Sequence, residues 1–250
     1  MELNTLKKSL RCLLLFSFVF LTSCEDNSNR ADEILEKSLK AHGGKAQWEK
    51  MKYVNYLKKT TLYDSTGAIE KEILQKITHH WRPERTEIQW VDDSGVLNRA
   101  LKLNGTIKLF KNSELKTDTL LLEQTKANLE AALYVYWQPY KLLDPGTQLK
   151  YIGTKKLLDT LPVEALEVRY SDDPKADVWT YFFDQTNFRL KATQVKHNNN
   201  ISLIVNESVE KETGLYLNKE RKSYFVNASG KIKYLRAAYR YDLTFFERDQ

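Results

Sequence analysis

The sequence predicts a mainly β protein of the α+β class. We expect one large antiparallel curved sheet, or incomplete β-barrel, of about 11–12 strands, with an N-terminal helix and an inserted helix covering its concave face. Two observations carry this prediction. Alternating apolar and polar runs, separated by Asp, Asn and Gly turns, fill most of the chain from Lys52 onward, and helical patterns occupy residues 31–41 and 117–137.

The first 23 residues have the layout of a secretory signal. A short positive region, residues 1–11, precedes an apolar run at residues 12–21, which is too short for a membrane-spanning helix of about 20 residues. The run ends in Leu21-Thr22-Ser23-Cys24, which resembles the lipobox of bacterial lipoproteins. The alternatives are an ordinary signal peptide cleaved after Ser23 and a buried apolar segment.

The lipobox resemblance implies that Cys24 receives acyl chains such as palmitate and becomes the first residue of the mature chain. Each buried CH₂ contributes about 0.8 kcal/mol, so several chains hold a protein firmly at a membrane. We therefore expect a signal peptide at 1–23, a lipidated tether at 24–30 and a single domain at 31–250. The expected location is the cell envelope, on the outer membrane, facing the periplasm or the cell surface.

The N-terminal helix and the first strands have clear boundaries. Asn29 is a suitable cap for a helix at 31–41, and Gly43 and Gly44 end it. About five strands follow before Lys111. Asn104-Gly105 between two of them is the strongest short hairpin signal, because both residues tolerate positive φ.

The inserted helix is predicted from one apolar stripe over residues 117–137. Leu122, Leu129, Leu133 and Tyr136 recur at helical spacing, and Pro139 ends the segment. If Leu133 is buried against the sheet, its replacement by Ala should cost about 2–5 kcal/mol.

About seven further strands complete the sheet. Residues 178–183 are apolar on both faces, so both faces should be covered. The last strand alternates most regularly, with Tyr239, Tyr241 and Phe245 on one side and Arg240 and Asp242 on the other.

Composition excludes several functions. Removing residues 1–23 lowers the net charge from +6 to +4. The remaining chain has no block of Lys and Arg residues that could follow a phosphate backbone, which argues against nucleic-acid binding. Cys12 is discarded and Cys24 acylated, so no disulfide or thiol nucleophile remains. His79 and His80 are neighbours on a strand and point to opposite faces, which argues against a shared metal. We find no catalytic motif and expect no enzyme, no metal and no cofactor.

The opening segment, Ala31-Asp32-Glu33-Ile34 through His42-Gly43-Gly44 to Trp48-Glu49-Lys50-Met51, is followed by this strand order. Together they resemble the lipoprotein carriers and outer-membrane lipoprotein receptors of Gram-negative bacteria. The stretches at 140–146 and 179–184 resemble more closely a group of uncharacterised anchored lipoproteins with that fold. The resemblance implies a half-open barrel whose helices cover an apolar cavity, and a lipid or lipoprotein ligand.

The number of strands predicts a cavity, because about twelve strands enclose more volume than their own side chains fill. Aromatic and aliphatic side chains suit acyl chains, and we see no charged cluster that would require a polar ligand. The alternative is a non-catalytic interaction module that holds a protein or glycan partner in an envelope complex. The predicted ligand-binding residues are Ile88, Trp90, Leu129, Leu133, Tyr136, Trp179, Tyr181, Phe183, Tyr239 and Tyr241.

Overall fold

The computed structural model describes residues 23–171, 173, 176–197 and 200–249, with side chains from residue 28 onward. The predicted signal peptide, apart from the backbone of Ser23, and the side chain of Cys24 lie outside the described residues. Among the helices described here, none is both long and apolar enough to cross a membrane.

The described residues form α-helices α1 (Ser23–Ala41), α2 (Lys45–Glu49) and α3 (Thr119–Tyr136), and a 3₁₀ turn (Tyr140–Leu143). Helix α1 begins earlier than predicted, so the backbone of the predicted tether at 24–30 is helical. Arg30 accounts for part of this difference. It donates to Glu33 one turn later at 2.6 Å and to Glu164 of the sheet at 3.1 Å, which fixes this end of the helix to the sheet.

Helix α3 matches its predicted position to within two residues at each end. The Asp118 side chain accepts a hydrogen bond from the Leu121 amide at 2.7 Å, which caps the helix start. The buried face is Thr125, Leu129, Ala132 and Tyr136. Leu133 is only half-buried, so the predicted stripe is rotated slightly from the observed one.

Thirteen strands form one antiparallel sheet among the described residues. They are β1 Met51–Tyr63, β2 Ile69–Trp81, β3 Glu84–Val91, β4 Leu97–Leu103, β5 Thr106–Lys111, β6 Glu114–Lys116, β7 Gln148–Leu157, β8 Leu161–Arg169, β9 Val178–Asp184, β10 Leu190–His197, β11 Asn200–Val209, β12 Asn218–Val226 and β13 Ile232–Arg248. The short β6 is the strand that the sequence analysis missed.

The sheet is curved and unclosed. Its order is β6-β5-β4-β3-β2-β1-β13-β12-β11-β10-β9-β8-β7, so β6 and β7 are its two edges. The first strand, β1, pairs with the last, β13, and this pairing joins the two halves of the chain. The predicted half-open architecture, with helices on its inner face, is confirmed.

The hairpins follow their turn chemistry. Asn104 and Gly105 have φ of 48° and 80°, and they connect β4 to β5 as a two-residue turn. Asp64 and Asp92 close the β1–β2 and β3–β4 turns in the same way. The Asp64 side chain, for instance, accepts from the amide of Thr66 at 2.8 Å.

The main core lies between the inner face of the sheet and the helices. Ile34, Leu35 and Leu39 of α1 are buried in it. A smaller apolar cluster, which includes Val163 and Phe182, lies on the opposite face of the second half of the sheet. Strand β9 therefore contributes to both clusters, which is why residues 178–183 are apolar throughout.

Candidate functional site

A cavity of about 570 Å³ lies between α3 and the inner face of the sheet. Helix α3 supplies its roof through Thr125, Leu129 and Ala132, and Asn128 and Ala131 lie at its exposed rim. The volume is within the range of roughly 300–1,000 Å³ that is usual for small-molecule sites.

Strand register explains which side chains reach the cavity. Successive residues of a strand point to opposite faces, so the lining takes alternate residues from neighbouring strands. Lys58 of β1 is opposite Gln75 of β2 and Tyr241 of β13, and Arg221 of β12 is opposite Tyr239 of β13. All five side chains line the cavity.

Six of the ten predicted ligand-binding residues lie in this lining. They are Ile88, Trp90, Leu129, Trp179, Tyr239 and Tyr241. The first three come from β3 and α3, and the others come from β9 and β13. The structure therefore brings together side chains that are up to about 150 positions apart in the sequence.

The other four predicted residues do not line the cavity. Tyr136, Tyr181 and Phe183 are fully buried in the core, and Leu133 packs against it from a half-buried position. All four side chains lie on the face of their strand or helix that packs against the core, where other core residues surround them.

These rings form an aromatic cluster beside the cavity. Tyr136 stacks between Tyr56 and Tyr241, with ring centroids 4.2 Å and 5.0 Å away. Trp137 lies 4.8 Å from Trp81 and 4.9 Å from Tyr136. Close ring contacts of this kind stabilise beyond the area they bury, so this part of the inner face is solid core.

A hydroxyl network closes the cluster on the β9 side. The Tyr181 hydroxyl accepts from Gln138 Nε2 at 3.0 Å and lies 3.0 Å from the Tyr170 hydroxyl, and Tyr134 contacts it as well. Burial raises the pKa of Tyr181 well above its usual value, so the phenol is neutral. Its polar atom is satisfied within the protein.

The two most strongly perturbed histidines are structural. His42 is held between the carbonyl of Tyr216 at Nδ1 and the amide of Leu190 at Nε2, both at 3.2 Å. His79 Nδ1 lies 2.9 Å from the Thr86 hydroxyl. Burial lowers the pKa of His42 to about 4 and that of His79 to about 3, so both rings are neutral, and neither lines the cavity.

Two cations line the cavity, although the sequence showed no charged cluster that would require a polar ligand. Arg221 is 2% exposed, and Lys58 is half-buried beside it on the lining. Neither cation could be placed in the cavity from local sequence signals. Lys58 is followed by Lys59, and Arg221 stands in the polar run 218–223, which is typical of an exposed strand.

The described lining contains no Asp or Glu, and no His. Ser202 and Ser223 also line the cavity, and among those described lining residues no carboxylate or imidazole is present to act as their base. Within the described chain, no group of three or more His, Cys, Asp or Glu side chains is placed to hold a metal ion. The arrangement suits binding of an apolar body with a polar end.

Comparison with known proteins gives one family and one fold. The family model described as "Family of unknown function (DUF6503)" matches residues 10–242. No curated protein matches the chain. A LolA superfamily protein of Nitrosomonas europaea superposes with a TM-score of 0.52 at 12% identity, covering 88% of this chain and 94% of that one. This likeness confirms the predicted fold.

Two further solved structures are similar at lower scores. A DUF1329 family protein of Desulfovibrio piger has a TM-score of 0.48 at 7% identity, covering 88% of this chain and 93% of that one. The lipoprotein LppX of Mycobacterium tuberculosis has a TM-score of 0.29 at 10% identity, covering 89% and 97%.

Proposed function

We propose that this chain, which belongs to the DUF6503 family, is a membrane-anchored envelope lipoprotein that binds a lipid or another hydrophobic ligand in its half-open sheet. Its role would be in lipid or lipoprotein trafficking. The observation that carries the proposal is the cavity of about 570 Å³ under α3.

The composition of the lining supports an apolar ligand. Trp90 and Trp179 face the cavity from opposite halves of the sheet, and Ile88, Leu129 and Val135 add aliphatic surface. Protein interiors are close-packed, and removing apolar surface from water contributes about 25 cal/mol per Å². A ligand whose surface is mainly apolar therefore gains the most binding free energy at this site.

The anchoring part of the proposal rests on the sequence. Leu21 to Cys24 resembles a lipobox, and α1 begins at Ser23. Since Arg30 already contacts Glu164 of β8, few residues separate Cys24 from the sheet. The proposed anchor would hold the domain close to the membrane surface, as exchange of a lipid with that membrane requires.

Filling the cavity tests ligand binding. Ala132 lines the cavity at 6% exposure, whereas Ala127, also on α3, is exposed and outside the lining. Native mass spectrometry of protein isolated from its own host should show bound lipid in the wild type and in Ala127→Phe. Ala132→Phe should lose the adduct, because the ring takes its volume. Equal adducts in the two variants would contradict the proposal.

Replacing the modified cysteine tests the anchor. Cys24→Ser removes the predicted acylation site, so we expect an unprocessed precursor that takes up no labelled palmitate. Membrane fractionation of the wild type and the variant gives the second measurement. Labelled palmitate in the variant, or its normal maturation, would rule out acylation at Cys24 without affecting the cavity.

The interaction module is the second candidate. Val91 is 60% exposed and pairs with Leu97, which is 48% exposed, and Leu74 is also 60% exposed. Exposed apolar groups of this kind occur at protein interfaces. A wild type without co-purifying lipid, together with a partner lost on Val91→Lys, would favour this alternative.

A further inference from the structure

The charge of the cavity is unbalanced. Two of its described lining residues, Lys58 and Arg221, are cations, and none is an anion. They flank Tyr239 on the inner face: Arg221 is opposite Tyr239, and Lys58 is opposite Tyr241 two residues further along the same strand. A purely apolar ligand would leave both cations without an opposite charge.

Arg221 has only neutral hydrogen-bond partners in the described structure. Its Nε donates to the Asn206 side chain at 2.8 Å, and its two other nitrogens donate to the Val135 carbonyl at 3.1 Å and to the Gln138 side chain at 3.5 Å. No carboxylate of the described residues lies within ion-pair distance. A buried charge normally requires an opposite charge, so Arg221 remains unneutralised.

Lys58 is in the same situation. Its ammonium has no hydrogen bond or ion pair among the described residues, and it lies over the face of the Tyr239 ring, 5.7 Å from the centroid. Lys59, the next residue, shows the ordinary case. It points to the other face of the sheet and pairs with Glu72 at 2.7 Å.

Thr193 adds an unpaired polar group to the same lining. Its side chain is fully buried, lines the cavity, and has a hydroxyl without a partner among the described atoms. An unpaired buried hydroxyl costs about 1–3 kcal/mol. A ligand oxygen in the cavity would satisfy it.

We propose that the ligand is an anionic amphiphile. Its apolar chain lies along Ile88, Trp90 and Trp179, and its carboxylate or phosphate group is bound by Arg221 and Lys58. This inference rests on the proposed function, and it adds the chemistry of the headgroup. A guanidinium binds planar and tetrahedral oxyanions through paired N–H donors, and the ammonium adds a second charge.

The electrostatics of Lys58 agree with this geometry. Burial, and then repulsion by Arg221, lower the pKa of Lys58 to about 8. The ammonium is thus still mostly protonated at pH 7, and an anion between the two cations would relieve the repulsion.

Chain-matched ligands test the proposal. The protein is the full chain carrying Cys24→Ser, and the probes are dodecanoate, dodecyl phosphate and dodecanol. Quenching of Trp90 and Trp179 fluorescence, checked by calorimetry, reports binding. We expect the two anions to bind at least about tenfold more tightly than the alcohol, because charge-assisted hydrogen bonds are the stronger kind.

Two matched variants locate the effect. Lys58→Met should remove most of the preference for dodecanoate over dodecanol, and Lys59→Met should keep it. At Arg221 the variant is Arg221→Lys, because it keeps the positive charge, whereas Arg221→Met could unfold α3. Arg221→Lys should weaken dodecyl phosphate binding about tenfold. Thermal melting shows whether each variant is folded.

The outcomes separate the two proposals. Equal binding of acid and alcohol, or a preference that survives Lys58→Met, would overturn the anionic headgroup and leave the apolar cavity function intact. Binding of none of the three probes would overturn both. Inorganic phosphate that competes as well as dodecyl phosphate would show a simple anion site and overturn the amphiphile.

Discussion

The two ends of the inner face differ sharply, although the same strands build both. We call them the packed end, which contains Tyr56, Tyr136 and Trp137, and the open end, which contains Lys58 and Trp179. On β1, Tyr56 is fully buried and Lys58, two residues later, lines the cavity.

The same change from a buried residue to a cavity-lining residue, two positions apart, occurs on other strands. On β2, Ile77 is buried and Gln75 lines the cavity, and on β9, Tyr181 is buried and Trp179 lines the cavity. Strand alternation thus decides which face a side chain occupies. The C-terminal end of α3 and the 3₁₀ turn decide whether the space in front of it is filled.

The packed end should carry more of the stability. Trp137 is 2% exposed and lies among five aromatic or imidazole rings, so Trp137→Ala should cost about 3–5 kcal/mol. Trp90→Ala at the open end should cost clearly less, because its half-buried ring already borders a cavity. Urea unfolding of both variants measures the difference. Equal costs would mean that the two ends are packed alike.

The sequence predicted the sheet because alternation and turns are local signals. Asn104-Gly105 is the clearest case, since two residues alone specify that hairpin. It missed β6, whose three residues are too few for a period. It also placed Phe245 on the same side of the strand as Tyr239 and Tyr241, but a register shift between Asn55 and Tyr56 reverses the alternation, and Phe245 is 56% exposed.

The site was predicted less completely, because the tertiary structure decides whether the space in front of an inward-facing side chain is filled. Tyr181 and Trp179 have the same parity on one strand, and only the position of α3 separates core from cavity. The lysines at 58 and 59 differ by one position in a run that gives no local sign of which one faces inward. Whether these residues bind ligand remains a prediction.

Acid should weaken the fold, because it contains two buried neutral histidines: His79 at the packed end, 6.1 Å from Trp137, and His42 just after α1. The pKa of His42 falls from 6.5 to about 4 on folding, and that of His79 to about 3. The unfolded chain binds protons first, so this stability is fully present above about pH 6.5 and is lost as the pH falls toward 4. The loss for His42 alone is of order 3 kcal/mol.

Unfolding free energies measured between pH 7.5 and 4.5 test this expectation. His42→Asn should be less stable at pH 7.5 and should show a shallower fall toward pH 4.5. His80→Asn is the control, since its ring is only partly buried and its pKa is lowered less strongly. The hypothesis fails if His42→Asn keeps the full wild-type slope.

The connection that brings Trp48 to the packed end should tolerate no side chain at one glycine. Gly43 and Gly44 both have positive φ, at 99° and 91°, but a Cβ on Gly43 would lie 2.0 Å from the Gly214 carbonyl oxygen. A Cβ on Gly44 meets nothing within 4 Å. Gly43→Ala should therefore cost about 1–3 kcal/mol more than Gly44→Ala. Similar melting temperatures for the two variants would contradict the close approach.

The smallest effect, at the open end, should have the opposite sign. Thr193 and Thr86 are both fully buried, but the Thr86 hydroxyl is bonded to His79, whereas the Thr193 hydroxyl has no partner among the described atoms. Replacing an unpaired hydroxyl by a methyl group removes a desolvation penalty, so Thr193→Val should stabilise the ligand-free protein by about 1 kcal/mol. Thr86→Val should destabilise it by a similar amount, since it leaves His79 unpaired.

If the open end binds a polar headgroup, Thr193→Val should also weaken dodecanoate binding while Thr86→Val does not. Thermal melting with and without dodecanoate separates the two effects, and a destabilised Thr193→Val would show that its hydroxyl is already satisfied within the fold.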